Sequence, residues 1–128
     1  MNQASLRNLL DSSCEDLQID PDGYWKAMYE SWPLVVMVDE LHNRIRIMVP
    51  ICEASELDEG ECRFLLEANF DRALDARYAL SGGLLWSLFQ HSFSDLSPDE
   101  FIDSLAKVHA LAENYGTTYC STDIVFCG

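Results

Sequence analysis

Catalysis or metal binding in this chain would have to be built from three histidines, five cysteines and a large excess of carboxylates. His42, His91 and His109 are far apart in sequence. A catalytic histidine needs a nucleophile beside it and an acid to orient it. No local signature supplies that arrangement: there is no G-x-S-x-G, no H-E-x-x-H, no P-loop and no G-x-G-x-x-G. His42 falls between two strand-like runs, where a turn would expose it, and His109 lies along a helical pattern. Zinc requires thiolates or imidazoles at close spacing. Cys14, Cys52, Cys62, Cys120 and Cys127 form no C-x-x-C pair, and the intervals 52–62 and 120–127 are too loose to count. The carboxylates gather at turns and helix starts, at Asp20 and Asp22, at Glu56, Asp58 and Glu59, and at Asp99 and Glu100, where capping and hydration account for them. The chemistry-bearing residues therefore point to a protein that is not an enzyme and carries no metal or cofactor.

The balance of charge narrows the partners. Eight basic residues against twenty-two acidic ones give a net charge of −14. Such a chain repels phosphate backbones, which argues against nucleic acid, and it is repelled by anionic membrane surfaces. It would suit a basic partner, although an acidic coat that only keeps a protein in solution looks the same. At 128 residues, 48% hydrophobic and 23% charged, the chain is one globular domain with little surplus core. The longest uncharged apolar run, residues 32–38, is too short for a bilayer. The first ten residues lack the basic start and apolar run of a secretory signal, so a cytoplasmic protein with reduced thiols is expected.

The elements that would position these residues follow from periodicity. Leu6, Leu9, Leu10, Cys14 and Leu17 share helical spacing, which predicts a first helix over residues 4–17. Asp20-Pro21-Asp22-Gly23 is a turn. Three strands are predicted next: residues 24–30, 34–39 and 44–49, the last with Ile45, Ile47 and Val49 on one side and Arg44 and Arg46 on the other. Pro50 should end the pairing because it has no N–H to donate. A second helix is expected from Ser55, with Ser55 and Asp58 as its capping box and with Cys62, Leu65, Leu66, Asn69 and Ala73 on one face. Asn69 is the polar member of that face. It reads as a structural residue bonding neighbouring backbone at the helix end, with ligand binding as the alternative. Residues 76–80 and 84–93 form a hairpin around Ser81-Gly82-Gly83. Ser97-Pro98-Asp99-Glu100 starts a third helix, with Phe101, Leu105, Val108, Ala112 and Tyr115 as its buried stripe and Gly116 as its stop. The tail, residues 117–128, has a mixed pattern, and its segment 124–126 would suit a short strand or a docked end.

The expected fold is thus α+β: an antiparallel sheet of about five strands packed by three helices, in the order α-β-β-β-α-β-β-α. The strand from Leu84 has no polar face, since Leu84, Trp86 and Leu88 alternate with Leu85 and Phe89. Three helices cover one side of such a sheet. The other side would then show some of Trp25, Val36, Ile45, Ile47, Trp86 and Leu88 to solvent, and bare apolar patches of that size mark interaction sites. The expectation is a dimer seam or a peptide groove, unless the helices and tail seal both faces. An unpaired strand edge also accepts an extended peptide.

Four stretches carry a resemblance: the helix end Phe64-Leu65-Leu66-Glu67-Ala68-Asn69-Phe70, the strand Ala76-Arg77-Tyr78-Ala79-Leu80, the turn and strand Gly83-Leu84-Leu85-Trp86, and the capped helix 97–116. In order and spacing the chain resembles, over residues 4–116, the type III secretion chaperone-like superfamily, which includes the Tir chaperones of the CesT family and the YbjN family. The resemblance implies a small acidic cytosolic homodimer that holds an unfolded client segment against apolar sheet surface. The YbjN branch instead implies a stress or regulatory protein acting through protein contacts.

Overall fold

The computed structural model describes residues 1–71 and 75–115. Helix α1 (Gln3–Ser13) is followed by strands β1 (Glu15–Ile19), β2 (Trp25–Tyr29), β3 (Trp32–Asp39) and β4 (Arg44–Glu53). A single 3-10 turn (Ala54–Glu56) leads to helix α2 (Glu59–Asp71), then come strands β5 (Arg77–Ser81) and β6 (Leu84–Ser92) and helix α3 (Pro98–Glu113). The six strands make one antiparallel sheet in the order β1-β2-β3-β4-β6-β5. The architecture is the expected α+β one, with one strand more.

The extra strand corrects the reading of residues 4–17 as one helix. Asn2 and Ser5 cap α1 reciprocally, and the helix stops where Cys14 turns extended, at φ −129 and ψ 166. In β1, Glu15 pairs with Met28 but Gln18 pairs with Lys26, so the strand spends one extra residue between them. That bulge, with Asp16 at φ 55, puts Cys14 and Leu17 on the same face, and both pack against the core. A three-residue interval produced by a bulge imitates helical spacing.

Pro50 ends pairing on one side only. The β3–β4 ladder runs from Asp39 and Arg44 to Val35 and Met48, whereas β4 continues along β6 past Pro50, opposite Trp86, to Glu53 through a second bulge. The start of α2 also differs from expectation. Ser55 lies in the 3-10 turn, and the cap is Asp58, whose Oδ1 accepts from the Glu61 N–H at 2.8 Å while its own N–H donates to Glu61 Oε1 at 3.3 Å. On α2 the buried residues are Leu65 and Ala68; Leu66 and Phe70 point outward. The hairpin turns on Gly82 and Gly83, both at positive φ, as a two-residue turn requires. Ser97 and Glu100 form the expected capping box of α3, with Pro98 in its first turn. Gly116, Ala73 and the tail fall outside the described residues.

All three helices pack on one side of the sheet. Leu6 and Leu10 of α1 join Phe101, Leu105, Val108 and Ala112 of α3 over Leu34, Val36, Ile45, Ile47 and Val49. Leu65 and Ala68 of α2 form a smaller cluster with Tyr78 and Leu85. Asn69 has the structural role: its Nδ2 donates to the Tyr78 carbonyl at 3.0 Å, and its Oδ1 accepts from the Tyr78 N–H at 2.7 Å. The side-chain amide stands where a further strand would bond. Between the two clusters, Ser87 is fully buried and its Oγ finds no partner among the described residues.

These two polar groups should respond oppositely. Asn69→Ala orphans both backbone groups of Tyr78 and is expected to cost about 1–3 kcal/mol in urea unfolding. Ser87→Ala removes an unsatisfied hydroxyl and is expected to raise stability by about 1 kcal/mol in the same assay.

Candidate functional site: the helix-free sheet face

The histidines do not assemble a catalytic group. His42 Nδ1 lies 2.8 Å from Asp39 Oδ2 in the exposed β3–β4 turn. That contact, first, and the His42 N–H, second, hold the Asp39 carboxyl below its usual range. His91 stacks on Phe89 and has Nε2 3.6 Å from Glu100 Oε2, while the other oxygen of that carboxylate, Oε1, accepts the Ser97 N–H in the helix cap. His109 meets Tyr29 edge-on at 5.5 Å, and its buried Nε2 is 3.3 Å from Glu113 Oε1, within ion-pair reach when protonated but without hydrogen-bond geometry. A polar hollow of about 340 Å³ beside His91 is lined by Asp75, Glu100 and Asp103. Lys107 bridges Asp103 at 2.6 Å and Asp75 at 2.5 Å on its rim, and these contacts raise the ammonium to about 12. Among the described residues, no group of three or more His, Cys, Asp or Glu side chains is arranged to hold a metal ion.

Pairing register sorts the apolar residues between the two faces of the sheet. Directly paired residues share a face. Trp25 pairs with Val36, Val36 with Ile47, Val38 with Ile45, and Ile47 with Phe89. All of these belong to the helix-covered side. Val36 is 1% exposed, Ile45 and Ile47 are 0%, and Trp25 packs against the same core. Four of the six residues expected on the open side are therefore core. The alternation in β4 is as expected, but it is the arginine face that looks away from the helices.

The opposite face is built by the other half of each strand. One row crosses the sheet as Gln18, Lys26, Val35, Met48, Leu88 and Arg77, by successive pairings. Alongside it run Met28 beside Pro33, and Pro50 beside Trp86 and Ala79. On the other flank, Met37 pairs with Arg46 and Arg46 with Gln90. No described helix covers this face. Val35, Met28, Met37, Trp86 and Leu88 are half-buried, and Met48 at their centre is only 7% exposed, covered by these neighbours. The Trp86 Nε1–H donates to the Ser81 carbonyl at 2.9 Å, which pins the indole at the hairpin end. Trp86 and Leu88 are thus the two expected residues found here. Val35 and the methionines are the ones the sequence reading missed, and the unbroken apolar run of residues 34–38, which must put apolar side chains on both faces of a strand, was the signal available for Val35 and Met37.

A second apolar region lies on the α2–β5 side. Leu66 is 70% exposed, Phe70 91% and Leu80 54%. A groove of about 260 Å³ runs beside them, floored by Leu65, Tyr78 and Leu85.

The fold is shared with solved structures. Over 90% of this chain and 94% of the other, it superposes on ExsC from the ExsC–ExsE complex at a TM-score of 0.68 and 18% identity. It superposes on an uncharacterized protein from Methanothermobacter thermautotrophicus at 0.66 and 15% identity, over 95% and 99% of the two chains. The Yersinia pestis type III secretion chaperone SycH, solved with a stable fragment of YscM2, matches at 0.63 and 13% identity over 87% and 96%. No family model matches the sequence, and no curated protein sequence does. The chain has the type III secretion chaperone-like fold, an α+β sheet with helices on one side. No described helix is long and apolar enough to cross a membrane.

Burial also sets a limit on alkaline stability. It raises the Cys14 thiol from 9.0 to about 11 and the Tyr78 phenol from 10.0 to about 12. Above pH 9 the unfolded chain ionises Cys14 while the folded chain does not, so stability should fall between pH 9 and about 11. Urea midpoints measured from pH 8 upward are expected to show this fall, and Cys14→Ala should flatten its first part.

Proposed function

We propose that this protein is a non-catalytic chaperone or adapter that holds an extended segment of a client protein on the helix-free face of its sheet. The observation that carries the reading is that face, which no described helix covers, with the partly exposed Val35, Trp86 and Leu88 across its middle around a buried Met48. Apolar surface left open on one side of a six-stranded sheet favours binding. Methionine supports a client site in particular, because its flexible thioether adapts to varied side chains. The shared fold with ExsC and SycH, each solved with a protein partner, supports the same direction. The reading puts the protein in the cytoplasm, as a homodimer. The dimer seam is the α2–β5 region, where Leu66, Phe70 and Leu80 are exposed around an apolar groove. On this assignment seam and client surface are different parts of the molecule, so a dimer keeps its binding faces free.

The two surfaces can be separated experimentally. Sedimentation should give a dimer, and Phe70→Glu should give a monomer that still binds a permanently unfolded probe such as reduced carboxymethylated lactalbumin. Leu88→Asp should leave the dimer intact and weaken probe binding by about tenfold, or ~1.4 kcal/mol. A wild-type monomer would remove the seam. Undiminished probe binding by Leu88→Asp would remove the client face.

A further inference from the structure

The helix-free face differs in charge from the rest of the molecule. Its strand positions include Lys26, Arg44, Arg46 and Arg77, half of the eight basic residues in the chain. They include only Glu15, Asp39 and Glu53 of the twenty-two acidic ones. A chain of net charge −14 thus has one face whose own strand residues sum to slightly positive. The basic residues also have a pattern. Lys26 and Arg77 stand at the two ends of the apolar row through Val35, Met48 and Leu88. Arg46 flanks the row, and Arg44 lies one pair further along the same strand. Both arginines are exposed and neither has a carboxylate within 4 Å among the described residues, although Asp39, opposite Arg44 in the ladder, is near enough to feel the charge of Arg46. They line a shallow hollow of about 350 Å³ with Tyr24, Met37, Asp39 and Glu40.

The geometry points to a client segment that is apolar and acidic, an extended stretch whose hydrophobic side chains lie on Val35, Met48 and Leu88 and whose carboxylates meet Arg46 and Arg44. This rests on the client-binding reading and specifies the chemistry of its ligand. It is also the reverse of what the overall charge suggests, which is a basic partner. Distance decides between the two. At physiological ionic strength a charge is screened within about 8 Å. The acidic residues on the helices lie a full packed layer behind the sheet, roughly 10 Å or more away. On the face itself Asp39 and Glu40 share the hollow with the arginines and Asp20 pairs with Lys26, so the local balance is only slightly basic and rests on Arg44 and Arg46. Guanidinium groups hold carboxylates in paired hydrogen bonds, so the preference is directional as well as coulombic. The apolar row between Lys26 and Arg77 crosses five strands, or about 19 Å at the usual spacing, which an extended segment of roughly six residues would span.

The test uses the full-length protein and two short labelled peptides, one alternating leucine with glutamate and one alternating leucine with lysine. Binding is read by fluorescence anisotropy at low and physiological salt. The glutamate peptide is expected to bind at least about tenfold more tightly, with the gap narrowing as salt rises. Arg46→Glu combined with Arg44→Glu should reverse the preference without unfolding a face that is already open. Equal binding of both peptides, or preference for the lysine peptide by the unaltered protein, overturns the acidic-segment inference and leaves the client face standing. Failure of either peptide to bind, with Leu88→Asp instead dissociating a dimer, assigns the face to a second copy of the chain and overturns both.

Discussion

Six strands have two faces, and helices of 11, 13 and 16 residues can cover only one of them. That shortage of cover is the constraint on which the rest of the structure depends. The covered face is filled by Phe101, Leu105 and Val108 from one helix and by Leu6 and Leu10 from another, all fully buried. Among the described residues no helix is left over for the opposite side. Its residues are accordingly of an intermediate kind, methionine, valine, proline and a pinned tryptophan, which cover one another well enough to remain in water without forming a core.

The same constraint organises the charge. Acidic residues occupy helix starts and outer helix faces, where capping and hydration stabilise them. Half of the basic residues lie on the strand face that no described helix covers, and they share it with only a few carboxylates. The net charge therefore describes that face poorly.

Much of this could be read in the sequence, but not all. The capping box at Ser97 and Glu100 and the paired glycines at the hairpin are local signals, and both elements begin and turn where they should. Asn69 was legible as a structural residue because an isolated amide near a helix end has few other uses. Strand β1 was hidden because its bulge spaces Cys14 and Leu17 like successive helical turns. The start of β3 was hidden because the turn before it uses Glu30 and Ser31 at positive φ, with no glycine or asparagine to mark it. The face assignment failed for a different reason. Alternation says which residues go together, but which set meets the helices depends on pairing across strands, and one residue of register exchanges the two sets.

The sheet has two borders, and each closes in its own way. At β1 the strand is short, acidic and interrupted at Asp16, which makes a poor template for another backbone. At β5 the amide of Asn69 already occupies the outward groups of Tyr78. Neither border therefore offers another backbone an open run of unpaired groups, and growth of the sheet by adding strands from further molecules is disfavoured at both ends.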